Sequence, residues 1–259
     1  IYYLLYFMKF KVSFNPKITI ITVTKNSEKF IERNILSVIN QSYKNYEHII
    51  IDGNSSDKTM QIINKYKGNL AKVISEDDEG LYEAMNKGII NTTGEIIGIL
   101  NSDDYFYENA LQIVKDNFKA NKNIDFLFGS VHKYTHRYGY YPWRIHFTFN
   151  FYPAHSVGFF IKRRAQLKVG LYNTKYKYSA DYDLFYRMIV ELKMRGIATK
   201  KNDILGRFSL GGLSTRIKYI DYLNENTLIR LDNGQNKILV KIIYFFRYIK
   251  RIKLILKEK

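Results

Sequence analysis

Short β-branched runs alternate with segments of helical periodicity in the first half of the chain. Strands separated by helices of 10 to 15 residues predict an α/β fold with a parallel sheet and helices on both faces. Ligands bind such sheets beyond the carboxyl ends of the strands. The predicted strands are 17–23, 46–51, 71–74 and 95–100. The predicted helices begin at Ser27 and at Ser56 or Asp57, and cover 80–90 and 109–118.

The second half of the chain is less regular. Residues 134–152 are rich in aromatic side chains and histidine, and 180–193 predicts a helix. Residues 237–259 mix Ile, Leu, Phe and Tyr with Lys and Arg in a helical rhythm, which predicts a basic amphipathic helical extension. Its apolar runs are too interrupted to span a bilayer. It therefore fits an anionic membrane surface, a face packed on the domain or a dimer contact.

Composition limits the classes of protein that this chain can belong to. Its 259 residues, 46% of them hydrophobic and 25% charged, fit one large α/β domain or one domain with an appendage, and argue against a disordered chain. No cysteine is present, which excludes disulfides and thiolate metal sites.

The net charge of +17 suggests nucleic acid, an anionic membrane or a phosphate-rich substrate as partner. Residues 216–259 hold 11 Lys and Arg against 4 Asp and Glu, a net of +7, so positive charge is densest at the C-terminal end. The opening run 1–8 is apolar but too short to span a bilayer, and it lacks the flanks of a secretory signal. We therefore expect a cytoplasmic protein.

Carboxylates lie at the ends of three of the four predicted strands, at Asp52, at 76–78 and at 103–104. Asp103 and Asp104 come directly after 95–100, where adjacent carboxylates can hold Mg²⁺ or Mn²⁺ together with a diphosphate. Such a metal neutralises charge on a leaving nucleoside diphosphate. Asp52 ends the second strand and can accept hydrogen bonds from a uracil N–H or a ribose hydroxyl. Both segments also suit plain turns and helix caps.

Five motifs, taken in order and with their spacing, resemble the inverting family-2 glycosyltransferases of the GT-A fold. The resemblance implies a Rossmann-like α/β fold with a mixed, mostly parallel sheet flanked by helices. The similarity extends from about 17 to about 215, and the Gly-Leu-Tyr-Glu-Ala-Met-Asn-Lys-Gly segment is similar to that of bacterial enzymes that build surface polysaccharide. The motifs are 20–26, 51–59, 75–88, 94–95 and 101–104.

The resemblance implies a role for each residue of the nucleotide-binding half. Thr22 and Thr24 are expected beside the base, and Asp52 is expected to read the uracil or its equivalent. Asp78 and Gly80 are expected at the ribose and the diphosphate.

The same resemblance extends to the donor sugar and the metal. Asn86 and Lys87 are expected near the sugar, and Asp104 is expected to be the metal ligand for Mg²⁺ or Mn²⁺. Because this chain has Ser102-Asp103-Asp104 in place of Asp-X-Asp, Asp103 is open to a role at the metal, the ribose or both.

The catalytic base is expected from the second half, because an inverting transfer needs a carboxylate to remove the proton of the attacking hydroxyl. The Ala-Asp-Tyr-Asp segment resembles that of the family, which makes Asp181 the base and gives Asp183 a supporting role at the site or at the helix terminus. Asp181 also suits a helix N-cap. His155 is expected at the diphosphate, the metal or the acceptor, or as a partly buried structural residue.

Two further segments of the second half have weaker signals. Residues 208–215 resemble a loop that closes over the donor, and their glycines suit either a mobile lid or an ordinary turn. Tyr140, Tyr141 and Trp143 suit an acceptor platform or the core.

Together these features predict three parts: an N-terminal extension over 1–16, a glycosyltransferase domain over 17–215 that divides after residue 120, and a basic tail over 216–259. The predicted partners are a nucleotide-sugar donor, most simply a UDP-sugar, and a saccharide or lipid-linked acceptor, with no nucleic acid. One alternative, a sugar-phosphate nucleotidyltransferase, would need a glycine-rich basic loop that 24–28 lacks. The other, a basic nucleic-acid-binding protein, conflicts with the acidic strand ends.

Overall fold

The computed structural model describes residues 14–148, 150–209 and 217–258. The apolar run at 1–8 and most of the glycine-bearing segment predicted as a lid, 210–215, lie outside the described residues. The elements run β1 Ile18–Thr24, α1 Ile31–Ile39, β2 Tyr46–Asp52, α2 Thr59–Lys65, β3 Lys72–Ser75, α3 Leu81–Ile90, β4 Ile96–Ile99, β5 Tyr105–Phe106, α4 Ala110–Ala120, β6 Phe126–Phe128, β7 Ser130–His132, β8 His136–Arg137, β9 Phe159–Lys162, α5 Arg163–Val169, α6 Ala180–Tyr186, β10 Gly196–Ala198, β11 Ile204–Arg207, α7 Tyr219–Asp232 and α8 Lys237–Lys257.

A seven-stranded sheet organises the chain, in the order β10-β6-β9-β4-β1-β2-β3. Neighbouring strands run parallel except β9, which is antiparallel to β4 and to β6. This confirms the mixed, mostly parallel sheet. In register, Thr24 lies beside Asp52 and Asp52 beside Ser75, so three strands end side by side.

Both faces of the sheet are covered, and β1 is buried along its whole length. Alternate side chains of a strand point to opposite faces. Ile21 and Val23 therefore join the core that contains Met85 of α3, whereas Ile18 and Ile20 join the core under α4. The β-branched run of the sequence thus forms the centre of a two-sided core.

The structure has a second sheet of four short strands, in the order β5-β11-β7-β8. Its strand β5 directly follows the acidic segment 101–104, and β11 leads into Phe208 and Ser209. The second sheet therefore connects the end of β4 with the segment that precedes the undescribed residues 210–216.

Two predicted helices differ from those observed. The prediction that Ser27 caps α1 was wrong, because residues 28–30 form a turn, the helix begins at Ile31, and the Ser27 hydroxyl bonds Lys25 O and Ser102 Oγ instead. The helix predicted over 180–193 is α6 followed by one π-helical turn at Arg187–Glu191. Arg187 there reaches back to Asp183 and to two backbone carbonyls.

Two helices end the described chain, and α8 confirms the predicted helical extension with 21 residues. Its inner face carries polar links to the rest of the protein: Tyr244 to Asn224, Arg247 to the Phe147 carbonyl, and Glu258 to the Tyr219 amide. In the described part of the chain, no helix is both long and apolar enough to cross a membrane.

Candidate functional site

The loops that follow β1, β2, β3 and β4, at 25–27, 53–57, 76–80 and 101–104, meet at one edge of the main sheet; we call them the strand-end loops. A Cβ at Gly53 would overlap the Asp78 carboxylate and lie 3.2 Å from Lys25 Cδ. The Ser27 and Ser102 hydroxyls are 2.8 Å apart. The first three loops therefore touch at Gly53, and the first and fourth touch at Ser27.

Asp52 is fully buried at the end of β2. Its carboxylate accepts hydrogen bonds from the Ser55 amide (3.0 Å), the Ser55 hydroxyl (2.5 Å) and the Ser75 hydroxyl (2.7 Å). Asp52 thus organises the turn after β2 and links it to the end of β3.

The two threonines of β1 have different surroundings. The Thr22 hydroxyl lies inside the protein and bonds Asn34 Oδ1 and His48 Nε2, so its polar group is directed at α1 and β2. The Thr24 hydroxyl is buried and has no partner among the described residues. Of these two, Thr24 has the free hydrogen-bonding capacity at the edge.

The residues after β3 are held in part by one another. The Asp78 carboxylate accepts a hydrogen bond from the Gly80 amide, and Gly80 has φ +141°, a value that favours glycine, directly before α3. Lys87 is bound by Glu76 (3.0 Å), Glu83 (3.3 Å) and the Asp77 carbonyl. The ammonium of Lys87 is therefore committed to the acidic loop.

Asp103 and Asp104 differ in burial. Asp103 is partly exposed, and its carbonyl accepts from Arg33 and Ser209. Asp104 is only 1% exposed, and its Oδ1 accepts from the Ser209 amide at 2.6 Å. Burial, and secondarily the charge of Asp103, raise the pKa of Asp104 to about 7.

Several buried polar atoms at this edge lack a partner, and such atoms are rare in folded proteins. The described residues contain six such side-chain atoms, and three of them belong to the ends of β1 and β4: Thr24 Oγ1, Asn101 Oδ1 and Asp104 Oδ2. A ligand or cation at the edge would satisfy them.

The residues present fit a divalent cation only in combination with a substrate. No group of three or more His, Asp or Glu side chains arranged to hold a metal occurs within the described ranges. Mg²⁺ is commonly held by one or two carboxylates together with substrate phosphates. The unpaired Oδ2 of Asp104 and the adjacent Asp103 provide that donor set.

Asp181, in the first turn of α6, lies among three tyrosines, Tyr82, Tyr152 and Tyr172, which we call the tyrosine cage. Its carboxylate accepts from the hydroxyls of Tyr82 and Tyr152, each at 3.1 Å, and from the Tyr182 amide at 2.9 Å. Burial raises the pKa of Asp181 to about 6, although these hydrogen bonds oppose the shift.

His155 and Asn86 support the cage through Tyr172. His155 Nε2 lies 2.7 Å from the Tyr172 hydroxyl, and burial lowers the pKa of the imidazole to about 3, so the ring is neutral. The side-chain nitrogen of Asn86 donates to the Tyr172 carbonyl, and its side-chain oxygen accepts from the Tyr172 backbone amide. Both polar atoms of the Asn86 side chain are therefore hydrogen-bonded.

Asp183 faces away from the cage. Its carboxylate forms a 2.9 Å ion pair with Arg187 and accepts from Asn233 of the loop after α7. Asp183 therefore supports the packing of α6 on the C-terminal part of the chain.

The three aromatic residues that suit an acceptor platform or the core divide into a half-buried one and an exposed pair. Tyr140 is half-buried and packs on Phe126 and Phe128. Tyr141 and Trp143 are exposed, and the Arg144 guanidinium lies 4.2 and 5.2 Å from their ring centroids.

Sequence reasoning missed four residues of this region. Tyr82 and Tyr152 bond the Asp181 carboxylate, Ser209 bonds Asp104, and Lys133 lies where both Asp104 and Asp181 act on its charge. Tyr82 lies within a recognised motif, so its position after Gly80 was a usable signal. Ser209 lies in the segment 208–215 that resembles a donor-covering loop, so it had a signal as well. Tyr152 and Lys133 come from segments without a motif, and only the fold brings them to the site.

Comparison with known proteins identifies the family. The sequence model described as "Glycosyl transferase family 2" matches residues 19–181. The chain is 25% identical over 233 residues to a chondroitin synthase of Pasteurella multocida, covering 86% of this chain and 23% of that protein. It is 28% identical over 226 residues to a PGL/p-HBAD biosynthesis glycosyltransferase of Mycobacterium tuberculosis, covering 81% of this chain and 84% of that protein.

Solved structures show the same fold. S. aureus TarS 1-349 in complex with UDP aligns with a TM-score of 0.67 at 17% identity, covering 90% of this chain and 72% of that one. The mannosyltransferase PcManGT from Pyrobaculum calidifontis, in complex with GDP-Man and Mn²⁺, aligns with a TM-score of 0.64 at 18% identity, covering 90% and 69%. This chain spans about a quarter of the length of the chondroitin synthase.

Proposed function

This chain belongs to glycosyl transferase family 2, and from that premise we propose that it transfers one sugar from a nucleotide-activated donor to an acceptor hydroxyl, with inversion at the anomeric carbon. The product is a surface polysaccharide or a lipid-linked glycan. The observation that carries the proposal is the set of unpaired buried polar atoms at the ends of β1 and β4. It is accompanied by a buried carboxylate of raised pKa, Asp181, which accepts a hydrogen bond from Tyr82 in the helix that follows the loop 76–80.

The donor binds at the strand-end loops. We assign the base and ribose to the region of Thr24, Asp52 and Asp78, and the diphosphate to the region of Asp103 and Asp104. Mg²⁺ or Mn²⁺ bound there would neutralise negative charge on the departing nucleoside diphosphate. A UDP-sugar is the first donor to test, and GDP- and dTDP-sugars are the next.

Asp181 acts as the general base. As the acceptor oxygen bonds to the anomeric carbon, its proton passes to the Asp181 carboxylate and the bond from that carbon to the diphosphate oxygen breaks. A general base works best when its pKa lies near the operating pH. The tyrosine cage provides this by burial, and the two tyrosine hydroxyls hold the carboxylate in place.

The enzyme works at an anionic membrane surface, which α8 contacts. Seven apolar residues share one side of α8 at helical spacing, and each of them is at least 37% exposed, whereas the inner face carries the polar links to α7 and Phe147. Exposed lysines border this apolar stripe, and basic amphipathic helices of this kind lie at anionic interfaces. The stripe is Ile238, Ile242, Phe245, Phe246, Ile249, Ile252 and Leu256.

A donor panel tests the enzymatic proposal. The protein is mixed with UDP-, GDP- and dTDP-sugars in the presence of Mn²⁺, and the melting temperature and the release of nucleoside diphosphate are measured. We expect at least one donor to raise the melting temperature and to release diphosphate, and EDTA to suppress both. No response to any donor, combined with tight and salt-sensitive RNA or DNA binding, would favour a nucleic-acid-binding protein instead.

Vesicle flotation tests the membrane proposal. Vesicles with about a third phosphatidylglycerol should carry the protein, and pure phosphatidylcholine vesicles should not, because anionic lipid attracts the lysines. Replacing Phe245 and Phe246 with Ser should abolish flotation, whereas Leu167→Ser, which alters an equally exposed residue of α5, should not. A concentration-dependent dimer that the double variant disrupts, without flotation of the wild type, would assign the stripe to self-association.

A further inference from the structure

Lys133 occupies the turn between β7 and β8, at the end of the second sheet nearest Asp104. Its amide donates to the Thr135 carbonyl, and the Phe208 amide donates to His132 next to it. The Lys133 ammonium lies 4.0 Å from the centroid of the Phe208 ring. The next residue along the chain, Ser209, donates its amide hydrogen to the Asp104 carboxylate. The ring that the ammonium contacts therefore belongs to the residue directly before the one that bonds Asp104.

The two carboxylates that the proposed function uses both act on the charge of this ammonium. Burial and the charge of Arg137 lower the pKa of Lys133, while the charges of Asp104 and Asp181 favour its protonated form. Among the described residues, neither carboxylate comes within hydrogen-bond or ion-pair distance of the ammonium. Both carboxylates therefore attract the ammonium, and neither of them is bonded to it.

Two other cations near this edge, Arg33 and Lys87, are already occupied. Arg33 bonds the Asp103 carbonyl and the Ser209 hydroxyl, and its guanidinium stacks on Tyr105. Lys87 is held by Glu76 and Glu83. An ammonium offers three donors, and a half-buried cation that leaves them unused favours an anionic partner.

We propose that Lys133, in the turn between β7 and β8 of the second sheet, binds the diphosphate of the donor. The strand-end loops would then contact the diphosphate from one side and Lys133 from the other. This inference rests on the proposed function, because the diphosphate must lie between the metal-binding carboxylate and the base for the sugar to reach Asp181. The contact holds negative charge on the leaving group while the bond to the sugar breaks. Phe208 restricts the side chain and keeps the ammonium directed into that space.

Calorimetry with UDP and with uridine, in the presence of Mn²⁺, tests this role; GDP and guanosine are measured in parallel. Lys133→Met should weaken binding of the diphosphate on the order of tenfold to a hundredfold, because a charge-assisted contact is lost. Binding of the nucleoside, measured by competition, should change less than about threefold, since the nucleoside has no phosphate. Lys133→Arg should recover most of the affinity because it keeps the charge.

Lys162→Met is the matched control. Lys162 is also half-buried beside an aromatic ring, 5.7 Å from the centroid of Phe118, but it pairs with Ile96 at the amino end of β4, across the sheet from the site. Equal affinity of wild type and Lys133→Met for the diphosphate would overturn the inference, as would an equal loss for nucleoside and diphosphate. Failure of the wild type to bind any nucleotide would overturn the proposed function itself.

Discussion

The strand-end loops and the tyrosine cage each hold a buried carboxylate that accepts three hydrogen bonds, but they use different partners. Asp52 is bound by a backbone amide and two serine hydroxyls, in loops only a few residues long. Asp181 is bound by a backbone amide and two tyrosine hydroxyls, surrounded by aromatic rings. Polar loops suit an acceptor that recognises a ligand, whereas aromatic burial favours a carboxylate that takes up a proton.

The largest expected effect separates these two roles. Asp181→Asn removes the base without changing the shape of the cage, so the rate of transfer should fall roughly 10²- to 10⁴-fold. Affinity for the nucleotide should stay within about twofold, because recognition belongs to the strand-end loops. Steady-state kinetics and calorimetry on one preparation measure both quantities.

Asp183→Asn is the control for that variant, since it makes the same change two residues along α6. It breaks the contacts to Arg187 and Asn233 and should lower the free energy of unfolding by about 2 kcal/mol, because those bonds involve a charge. Activity of the folded fraction should persist. If Asp183→Asn lowered the activity of the folded protein as much as Asp181→Asn does, the assignment of Asp181 as the general base would be contradicted.

The pH dependence of the rate is the next largest effect. Because the pKa of Asp181 is raised to about 6, the base is protonated in acid, and kcat/KM should fall about tenfold per pH unit below that value. Saturating Mn²⁺ keeps Asp104, whose pKa is about 7, ionised during the measurement. A profile that is flat down to pH 4.5 would contradict the assignment.

Stability should depend on pH in the opposite direction. A carboxyl group whose pKa rises on folding, from 3.8 to about 6, stabilises the protein most below the lower value and loses that contribution as pH rises through the higher one. The free energy of unfolding of the wild type should therefore fall between pH 4 and pH 6 relative to that of Asp181→Asn, which chemical denaturation can measure.

A smaller effect is expected at the strand-end loops. Asp52→Asn weakens the bonds to Ser55 and Ser75 and should lower the melting temperature by about 4 to 8 °C, the result of about 2 kcal/mol in a domain of this size. Nucleotide affinity should fall with it. Asp77→Asn, an exposed carboxylate bonded only to Asn54 in the described structure, should leave the melting temperature unchanged; equal shifts in both variants would argue against the anchoring role of Asp52.

The smallest effect tests the cage itself. The Tyr82 hydroxyl stabilises the ionised form of Asp181, so Tyr82→Phe should raise the pKa of Asp181 further and move the acidic limb of the rate profile to higher pH. Above pH 8 the rate should differ less than about threefold from that of the wild type, since the base is ionised in both. Tyr43→Phe, which removes a hydroxyl near the amino end of β1, should leave the profile in place.

The sequence alone predicted the four parallel strands β1 to β4, their ends and the basic C-terminal helix, whereas the remaining strands of the main sheet and the second sheet came from the structure. The β-branched runs before Asp52 and Asp103 are almost entirely apolar, which is typical of buried parallel strands. Consecutive parallel strands end at the same edge of a sheet. The helical spacing of the apolar residues of α8 was readable too, but it did not separate the exposed Leu256 from the buried Ile255. The prediction at Ser27 failed because a serine before an apolar run can begin a turn as well as cap a helix.

Only the tertiary structure decided how the chemistry is distributed. Asp103 and Asp104 are adjacent in sequence, yet one is partly exposed and the other buried, because Ser209 arrives from about a hundred residues away. The neighbours of Asn86 within α3 follow from the helix alone, but its side-chain amide is hydrogen-bonded to Tyr172, which is distant in the sequence. Which side of α8 faces outward, and where Lys133 lies, depend on elements that are distant in the chain. Local pattern determines which residues form strands and helices, whereas burial and partners depend on what packs against them.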